Sequence, residues 1–180
     1  DNNQRTLPWR VSKRSKKKLY YRLLSEFMLQ QTQVKTVIPY FNRFIKKFKT
    51  LQALSKSKEN QILKLWEGLG YYRRARNLLA SSKLLVKEHN SKLPKTIKEI
   101  KKLPGVGEYT ANALLGLVHN KPTIAVDGNV KRVFARNLNK KEDKINFEKF
   151  ILLNKKKLLT TNRNSDFIEA LMEFGALICK

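Results

Sequence analysis

The sequence predicts an all-α protein. Apolar residues recur at i, i+3 and i+4 along almost the whole chain, and no stretch alternates apolar with polar residues convincingly enough for a strand. Val37-Ile38 and Thr123-Ile124-Ala125-Val126 are too short and isolated to pair into a sheet.

Taken in order, the first long helix is expected from about Leu19 to Gln33, with Leu23, Phe27 and either Leu24 or Met28 facing inward. Val34 to Phe48 follows as a second, with Pro39 in its first turn or bending it. Shorter helical patterns cover Ser57 to Trp66 and Arg74 to His89, separated by Gly68-Leu69-Gly70-Tyr71-Tyr72. Thr96-Ile97-Lys98-Glu99 has the spacing of a capping box, in which threonine hydroxyl and glutamate carboxylate satisfy free amides at a helix start. That helix is expected to end at Leu103. Another runs from Glu108 to His119, where Pro122 closes it off. Asp127 sits where an N-cap belongs, before Val130, Val133 and Phe134 at helical spacing, and the last helix covers Asp166 to Ile178. Asn137 to Lys144 and Lys155 to Asn164 read as basic surface loops, and no internal repeat of useful length is seen.

With 39 Lys and Arg against 14 Asp and Glu, the formal charge is +25 over 180 residues. A polyanionic partner is the simplest physical reason. Lysine-rich coding bias also raises charge, so charge alone decides little. The 41% of hydrophobic residues can build a core in one or two domains. No run of about 18 apolar residues exists and Asp1-Asn2-Asn3-Gln4-Arg5 is not a signal peptide, so a soluble, intracellular setting is expected. The one cysteine, Cys179, excludes an internal disulfide framework and by itself cannot bind a metal cluster. His89 and His119 are isolated and are assigned no role.

The most informative stretch is Leu103-Pro104-Gly105-Val106-Gly107-Glu108-Tyr109, a short Gly-rich turn between two helical patterns. Glycines permit positive φ, and backbone amides near Gly105 and Gly107 at a helix N-terminus make a nest for a phosphate oxygen. Such connections also occur in proteins that bind nothing. Asp127 serves either as a cap alone or as a carboxylate beside a developing positive charge, and the cap setting favours its ionised form. Glu26 has Leu23 and Leu29 on its own helix face, with Arg22 and Gln30 one turn away. It is either a snorkelling surface residue or a carboxyl whose apolar side favours the protonated form. Together the two carboxyls suit the cleavage of a glycosidic bond. Gln30-Gln31-Thr32-Gln33 could probe base edges or fill the gap left by an extruded base. Gly70-Tyr71-Tyr72-Arg73-Arg74-Ala75-Arg76 mixes flexible backbone, aromatic faces and three arginines, which suits insertion beside a backbone and phosphate contact. Both segments also pass as ordinary loop and helix-end composition.

These residues together resemble the helix-hairpin-helix DNA glycosylases, and within them the MutY-type adenine glycosylases. The resemblance runs through Leu7-Pro8-Trp9-Arg10, Ser25-Glu26, Met28 to Val34, Leu65 to Tyr72, the hairpin, Val126 to Val130, and Ala170 to Cys179. It implies two helical subdomains with the active site between them: one at about 19–134 with the helix-hairpin-helix at about 96–119, the other made from 1–18 and 135–180. It further implies removal of adenine mispaired with 8-oxoguanine. Glu26 matches the general acid and Asp127 the stabiliser of the sugar cation, with Tyr109 and Asn129 supporting that centre. Trp9, Arg10, Leu29 and Glu169 match the adenine pocket, while Gln31 and Tyr71 match residues that occupy the duplex near the lesion. Gly105, Val106 and Gly107, with Gln30 and Thr32, would contact DNA.

The same resemblance implies a cation at the hairpin, monovalent or calcium-like, and a monomeric protein of the bacterial cytoplasm acting on double-stranded DNA with 8-oxoguanine:adenine or guanine:adenine mispairs. Endonuclease III-like enzymes carry a lysine where this chain has Tyr109, so little or no strand cleavage is expected. The family holds a 4Fe-4S cluster by four cysteines, of which Cys179 matches only the first before the sequence stops at Lys180. The separate domain that reads 8-oxoguanine is also missing, so a fragment or a natural short form without a cluster is expected. Two other readings stay open: an endonuclease III-like glycosylase and lyase acting on oxidised pyrimidines, and a helix-hairpin-helix DNA-binding module without catalysis.

Overall fold

A computed structural model of the protein describes residues 5–179. Among the described residues every regular element is helical: α1 (Lys18–Leu29), α2 (Val34–Lys47), α3 (Leu51–Ser55), α4 (Glu59–Trp66), α5 (Arg73–Glu88), α6 (Ile97–Ile100), α7 (Glu108–His119), α8 (Gly128–Asn137), α9 (Phe147–Leu158) and α10 (Asn164–Glu173). A 3-10 turn at Glu142–Lys144 precedes α9, and α10 runs on into a π turn at Phe174–Ile178. No helix of the described residues is long and apolar enough to cross a membrane.

The chain packs as two units, Thr6–Gly107 and a second that starts at Glu108 and takes in Arg5. The division falls at the end of the hairpin. It does not coincide with the expected boundary near residue 134, because α7 and α8 both pack against α10.

In the first unit α1 is the central helix. Leu23, Leu24, Phe27 and Met28 are all fully buried, so both alternatives for the inward face hold at once, with α2 and α5 packed on it. Aromatic edges knit this core: Phe41 meets Trp9 at 5.3 Å and Tyr21 at 5.2 Å, and Phe44 meets Trp66 at 5.7 Å. The buried Tyr20 hydroxyl donates to the Phe48 carbonyl at 2.8 Å, which ties the ends of α1 and α2 together. Pro39 lies inside α2, which continues through it. The Thr96 hydroxyl accepts from the Glu99 amide at 3.3 Å, which is the first half of the expected capping box, whereas the Glu99 carboxylate takes its bond from the Thr96 hydroxyl at 2.6 Å.

In the second unit α7 lies against α10 at a glycine. A Cβ on Gly116 would sit 2.1 Å from Ile168 Cδ1 and 2.8 Å from Thr123 Oγ1, so a larger residue there would have to displace both side chains. Ala113, Leu117, Ala125 and Ile168 form one buried cluster there, and Ile124, Val130 and Phe134 form another, joined by Phe147, Phe150 and Ile151 of α9. A buried Glu173 on α10 receives the Arg5 guanidinium, with Nη2–Oε1 at 2.5 Å and Nε–Oε2 at 2.9 Å.

Four expectations need correction. The first helix stops at Leu29 rather than Gln33, because Gln31 turns into the left-handed region at φ 56°. Leu51–Ser55 forms a short helix where the sequence predicts none, capped by the Thr50 hydroxyl on the Ala53 amide at 3.1 Å. The basic loop expected from Lys155 starts only after Leu158, since α9 begins at an Asn146 cap and holds Phe147, Phe150 and Ile151 on one face. The last helix is not uniform, for its end is widened into the π turn.

Candidate active site

The first unit carries Glu26, Leu29, the Gln30–Gln33 turn, the Gly68–Tyr72 turn and the hairpin. Glu26 sits on α1 with 6% of its surface exposed, inside a helix whose neighbours at Leu23 and Phe27 see no solvent. It is a buried carboxyl, not a snorkelling one. Leu29 ends the helix. Trp9 is a core residue, 3% exposed and edge-on to Phe41, and the amide of the half-buried Arg10 donates to Leu7 at 3.0 Å.

The hairpin rests on α5. Gly105 takes φ 77°, and a Cβ there would lie 2.5 Å from the Asn77 amide nitrogen, while the Ser81 hydroxyl donates to Pro104 at 2.9 Å. The Val106 side chain is buried and its amide closes the turn onto Leu103 at 3.1 Å. Val106 therefore holds the hairpin's shape, and exposed Gly105 and Gly107 form its surface. The carbonyls of Pro104 and Gly105 accept from Ser81 and, at 3.4 Å, from the Gln30 amide.

Between the two turns stands Arg74, whose role the sequence did not reveal. It was expected among three arginines at phosphate, yet it is 6% exposed and faces backbone carbonyls. Nη1 lies 2.8 Å from Met28 O, 3.4 Å from Phe27 O and 3.1 Å from Thr32 Oγ1, and it also bonds Gln30 O. Nη2 donates to Leu69 O and Gly70 O, each at 3.1 Å. The guanidinium stacks near Trp66 at 5.5 Å and Tyr71 at 5.4 Å. Burial pulls its pKa below the ordinary arginine value, with the Tyr71 phenol acting in the opposite direction. Of the other two arginines, Arg76 pairs with Glu59 at 2.8 Å and Arg73 is exposed. Gln31 and Tyr71 occupy the tips of the two turns, both exposed and both left-handed, at φ 56° and 48°.

The second unit carries Asp127, Asn129, Tyr109, Glu169 and Cys179. Asp127 caps α8, with Oδ1 accepting from the Val130 amide at 2.8 Å and Oδ2 from the Asn129 side-chain amide at 3.0 Å. Cap and orientation are thus one arrangement: the hydrogen bond that starts the helix also fixes the carboxylate. Asn129 is oriented in turn by Arg132, whose Nη2 donates to its Oδ1 at 3.0 Å and to Gly175 O at 2.6 Å, while Nε donates to Cys179 O at 2.8 Å. Arg132 went unnoticed in the sequence, although its place one helical turn after Asn129 was a usable signal. Tyr109 is half-buried against Ala113, Leu117, Ala125 and Ile168, and Glu169 is half-buried on α10.

Cys179 lies just past the π turn with Sγ 3.4 Å from Arg136 Nη1. It is the single cysteine of the sequence, and among the described residues no group of three or more His, Cys, Asp or Glu could hold a metal. The residues present therefore do not supply the donor set of a four-thiolate cluster.

The family model for the HhH-GPD superfamily of base excision DNA repair proteins matches residues 24–155. The chain is 43% identical over 180 residues to the adenine DNA glycosylase of Buchnera aphidicola subsp. Baizongia pistaciae, covering 98% of this chain and 49% of that protein. It is 39% identical to the adenine DNA glycosylase of Rattus norvegicus, covering 99% of this chain and 36% of the relative. The chain thus spans about half or less of the length of these relatives. Among solved structures it is similar to a thermostable thymine-DNA glycosylase, with TM-score 0.81, 27% identity, and 98% and 80% of the two chains covered. The fold is also that of an endonuclease III in a trapped covalent complex with DNA, at TM-score 0.76 and 23% identity, with 94% and 79% covered.

Proposed function

The chain belongs to the HhH-GPD superfamily of base excision DNA repair proteins, and from that premise we propose that it is the catalytic core of a glycosylase that removes adenine from double-stranded DNA, with 8-oxoguanine as the opposing base. The observation that carries this reading is similarity along nearly the whole chain to proteins named adenine DNA glycosylase, at 36–43% identity in organisms from bacteria to human. The solved structure of an endonuclease III–DNA complex supports duplex DNA as the partner at the level of the fold, and the +25 charge fits a polyanion.

The chemistry follows from the carboxyls. An adenine inside a duplex is out of reach, so it is first extruded, and a buried carboxyl then meets it away from bulk water. In this reading the Glu26 carboxyl donates its proton to the extruded adenine, the C1′–N9 bond breaks with its electron pair going to the base, and neutral adenine leaves. The sugar is left as an oxocarbenium ion. The Asp127 carboxylate, fixed by Val130 and Asn129, stabilises that positive charge until water adds at C1′ and loses a proton, giving an abasic site. Tyr109 offers a phenol and no amine, so no Schiff base forms at that position and the strand stays intact. Lys131, the lysine nearest Asp127 in sequence, has its ammonium over the Phe147 ring at 5.8 Å.

The test is single-turnover adenine release from a duplex with one 8-oxoguanine:adenine pair, comparing the parent with Glu26→Gln and reading strand breaks with and without alkali. The expected result is release that needs alkali to reveal a break and that falls by at least about 100-fold in the variant, the scale of general acid catalysis, while DNA binding persists. Breaks without alkali would overturn the monofunctional reading. Equal activity in the variant would remove Glu26 from the mechanism, and salt-sensitive binding without release would favour a binding module.

A further inference from the structure

The two exposed turn tips share one buried anchor. Gln31 and Tyr71 are separated by forty residues of sequence, yet the carbonyls just before each of them, Gln30 O and Gly70 O, accept from the same guanidinium. Both tips are in left-handed backbone, which is unfavourable for a non-glycine residue and persists only where the surroundings impose it. Arg74 is what imposes it. Its six oxygen acceptors are split between the end of α1 and the Leu69–Gly70 turn, and Nη1, with two protons for four oxygens, shares them. The Trp66 indole reinforces the second turn by donating to Gly70 O at 3.0 Å. What this holds in solvent is a phenol ring 64% exposed at one tip and a neutral amide side chain at the other. A large aromatic held outward on a strained turn is a poor arrangement for a surface and a good one for stacking against an unpaired base.

We propose that Arg74 is a positioning residue that locks the Gln30–Thr32 and Gly68–Tyr71 turns into a single rigid pair of probes, so that Gln31 and Tyr71 enter the duplex together. Arg74 touches no DNA itself. The inference rests on the reading of the chain as a DNA glycosylase, and it adds that extrusion of the base depends on a preorganised pair of turns. Lysine cannot replace the guanidinium, because a single ammonium lacks the planar fork that reaches both turns.

The experiment uses this chain with Arg74→Lys, Tyr71→Ala and the double variant. Two signals are read: the fluorescence rise of 2-aminopurine placed beside the target adenine, and single-turnover adenine release. Arg74→Lys is expected to cut both by about tenfold with the pH profile of release unchanged, and to add less than twofold loss in the Tyr71→Ala background. Thr32→Val, which removes one acceptor and leaves the arginine in place, is expected to give a two- to threefold loss of the same kind, and it serves if Arg74→Lys does not fold. Losses that multiply in the double variant, an altered pH profile, or wild-type behaviour of Arg74→Lys would overturn the proposal. A parent that raises the fluorescence without releasing adenine would defeat the glycosylase reading while leaving the positioning role measurable on the fluorescence alone. A parent that raises no fluorescence overturns the inference itself.

Discussion

Replacing Gly175 by alanine sets two effects of opposite sign against each other. By helix propensity and the smaller entropy of the unfolded chain, alanine should stabilise a helical position by about 0.5–1 kcal/mol. Packing says otherwise. A Cβ at Gly175 would lie 2.7 Å from Asn129 O, 2.8 Å from Asn129 Cβ and 2.9 Å from the Asn129 carbonyl carbon. Ordinary contact begins near 3.5 Å, and two of these atoms are backbone, so the π turn and the start of α8 must separate by more than half an ångström. Overpacking of this kind costs about 1–3 kcal/mol, and with two rigid backbone atoms in the way the middle of that range applies, which leaves a net destabilisation of roughly 1 kcal/mol after the propensity gain. At about 2–4 °C per kcal/mol for a chain of this length, that is a drop of a few degrees in Tm. The displacement falls on Asn129, which orients the Asp127 carboxylate, so single-turnover adenine release should fall about tenfold, within the range expected for a sub-ångström misplacement. Thermal unfolding and single-turnover kinetics on the same preparation check both halves. A variant as stable as the parent, or more so, with undiminished release would refute the close approach of the π turn to α8 and the coupling drawn from it.

Two further substitutions test the scaffold. Arg5→Ala should cost about 2–4 kcal/mol in urea unfolding, because it strips a buried Glu173 of its guanidinium, whereas Arg5→Leu combined with Glu173→Leu should recover most of that loss. Tyr20→Phe should cost about 1 kcal/mol at neutral pH for the lost bond to Phe48, and should also change the alkaline limb. Burial raises the Tyr20 pKa above its ordinary value of 10.0, so this phenol's contribution is complete below about pH 10 and is lost as pH climbs further, when the unfolded phenol ionises and the folded one resists. The gap between parent and Tyr20→Phe should therefore narrow at high pH, as read by denaturant melts across that range; a constant gap would place Tyr20 outside the pH response.

What could be read from the sequence were the features whose causes are local. The helix at Glu108–His119, the Thr96 cap and the Asp127 cap each follow from residues within one turn of each other, and each stands where the spacing puts it. The end of α1 does not follow locally. Gln30-Gln31-Thr32-Gln33 is acceptable helical sequence, and it is interrupted because Arg74, more than forty residues later, takes its carbonyls. Arg74 itself looked like one of three surface arginines, since its burial depends on how α5 meets α1. The α9 helix was missed for the opposite reason: its lysines mask a real apolar face at Phe147, Phe150 and Ile151, and the Asn146 cap was the signal to weigh. Trp9, matched to a base pocket by resemblance, lies in a turn ahead of α1 and packs edge-on against Phe41 of α2. Among the candidate site residues, the chemical types were legible, whereas the groups that hold them in place were mostly not.

The π turn that ends α10 is also a matter of counting. Its closing bond runs from the Cys179 amide to the Phe174 carbonyl at 2.8 Å, five residues back instead of four, so this segment holds one residue more than an α-helix would need to cover the same span. Deleting a single residue between Phe174 and Ile178 would let the segment close as an ordinary α-helix over the same span, and the backbone inside the turn would be redrawn. The Gly175 carbonyl that accepts from Arg132 lies in that stretch. The extra residue of the π turn thus helps set a carbonyl against the arginine that orients Asn129 and, through it, the Asp127 carboxylate.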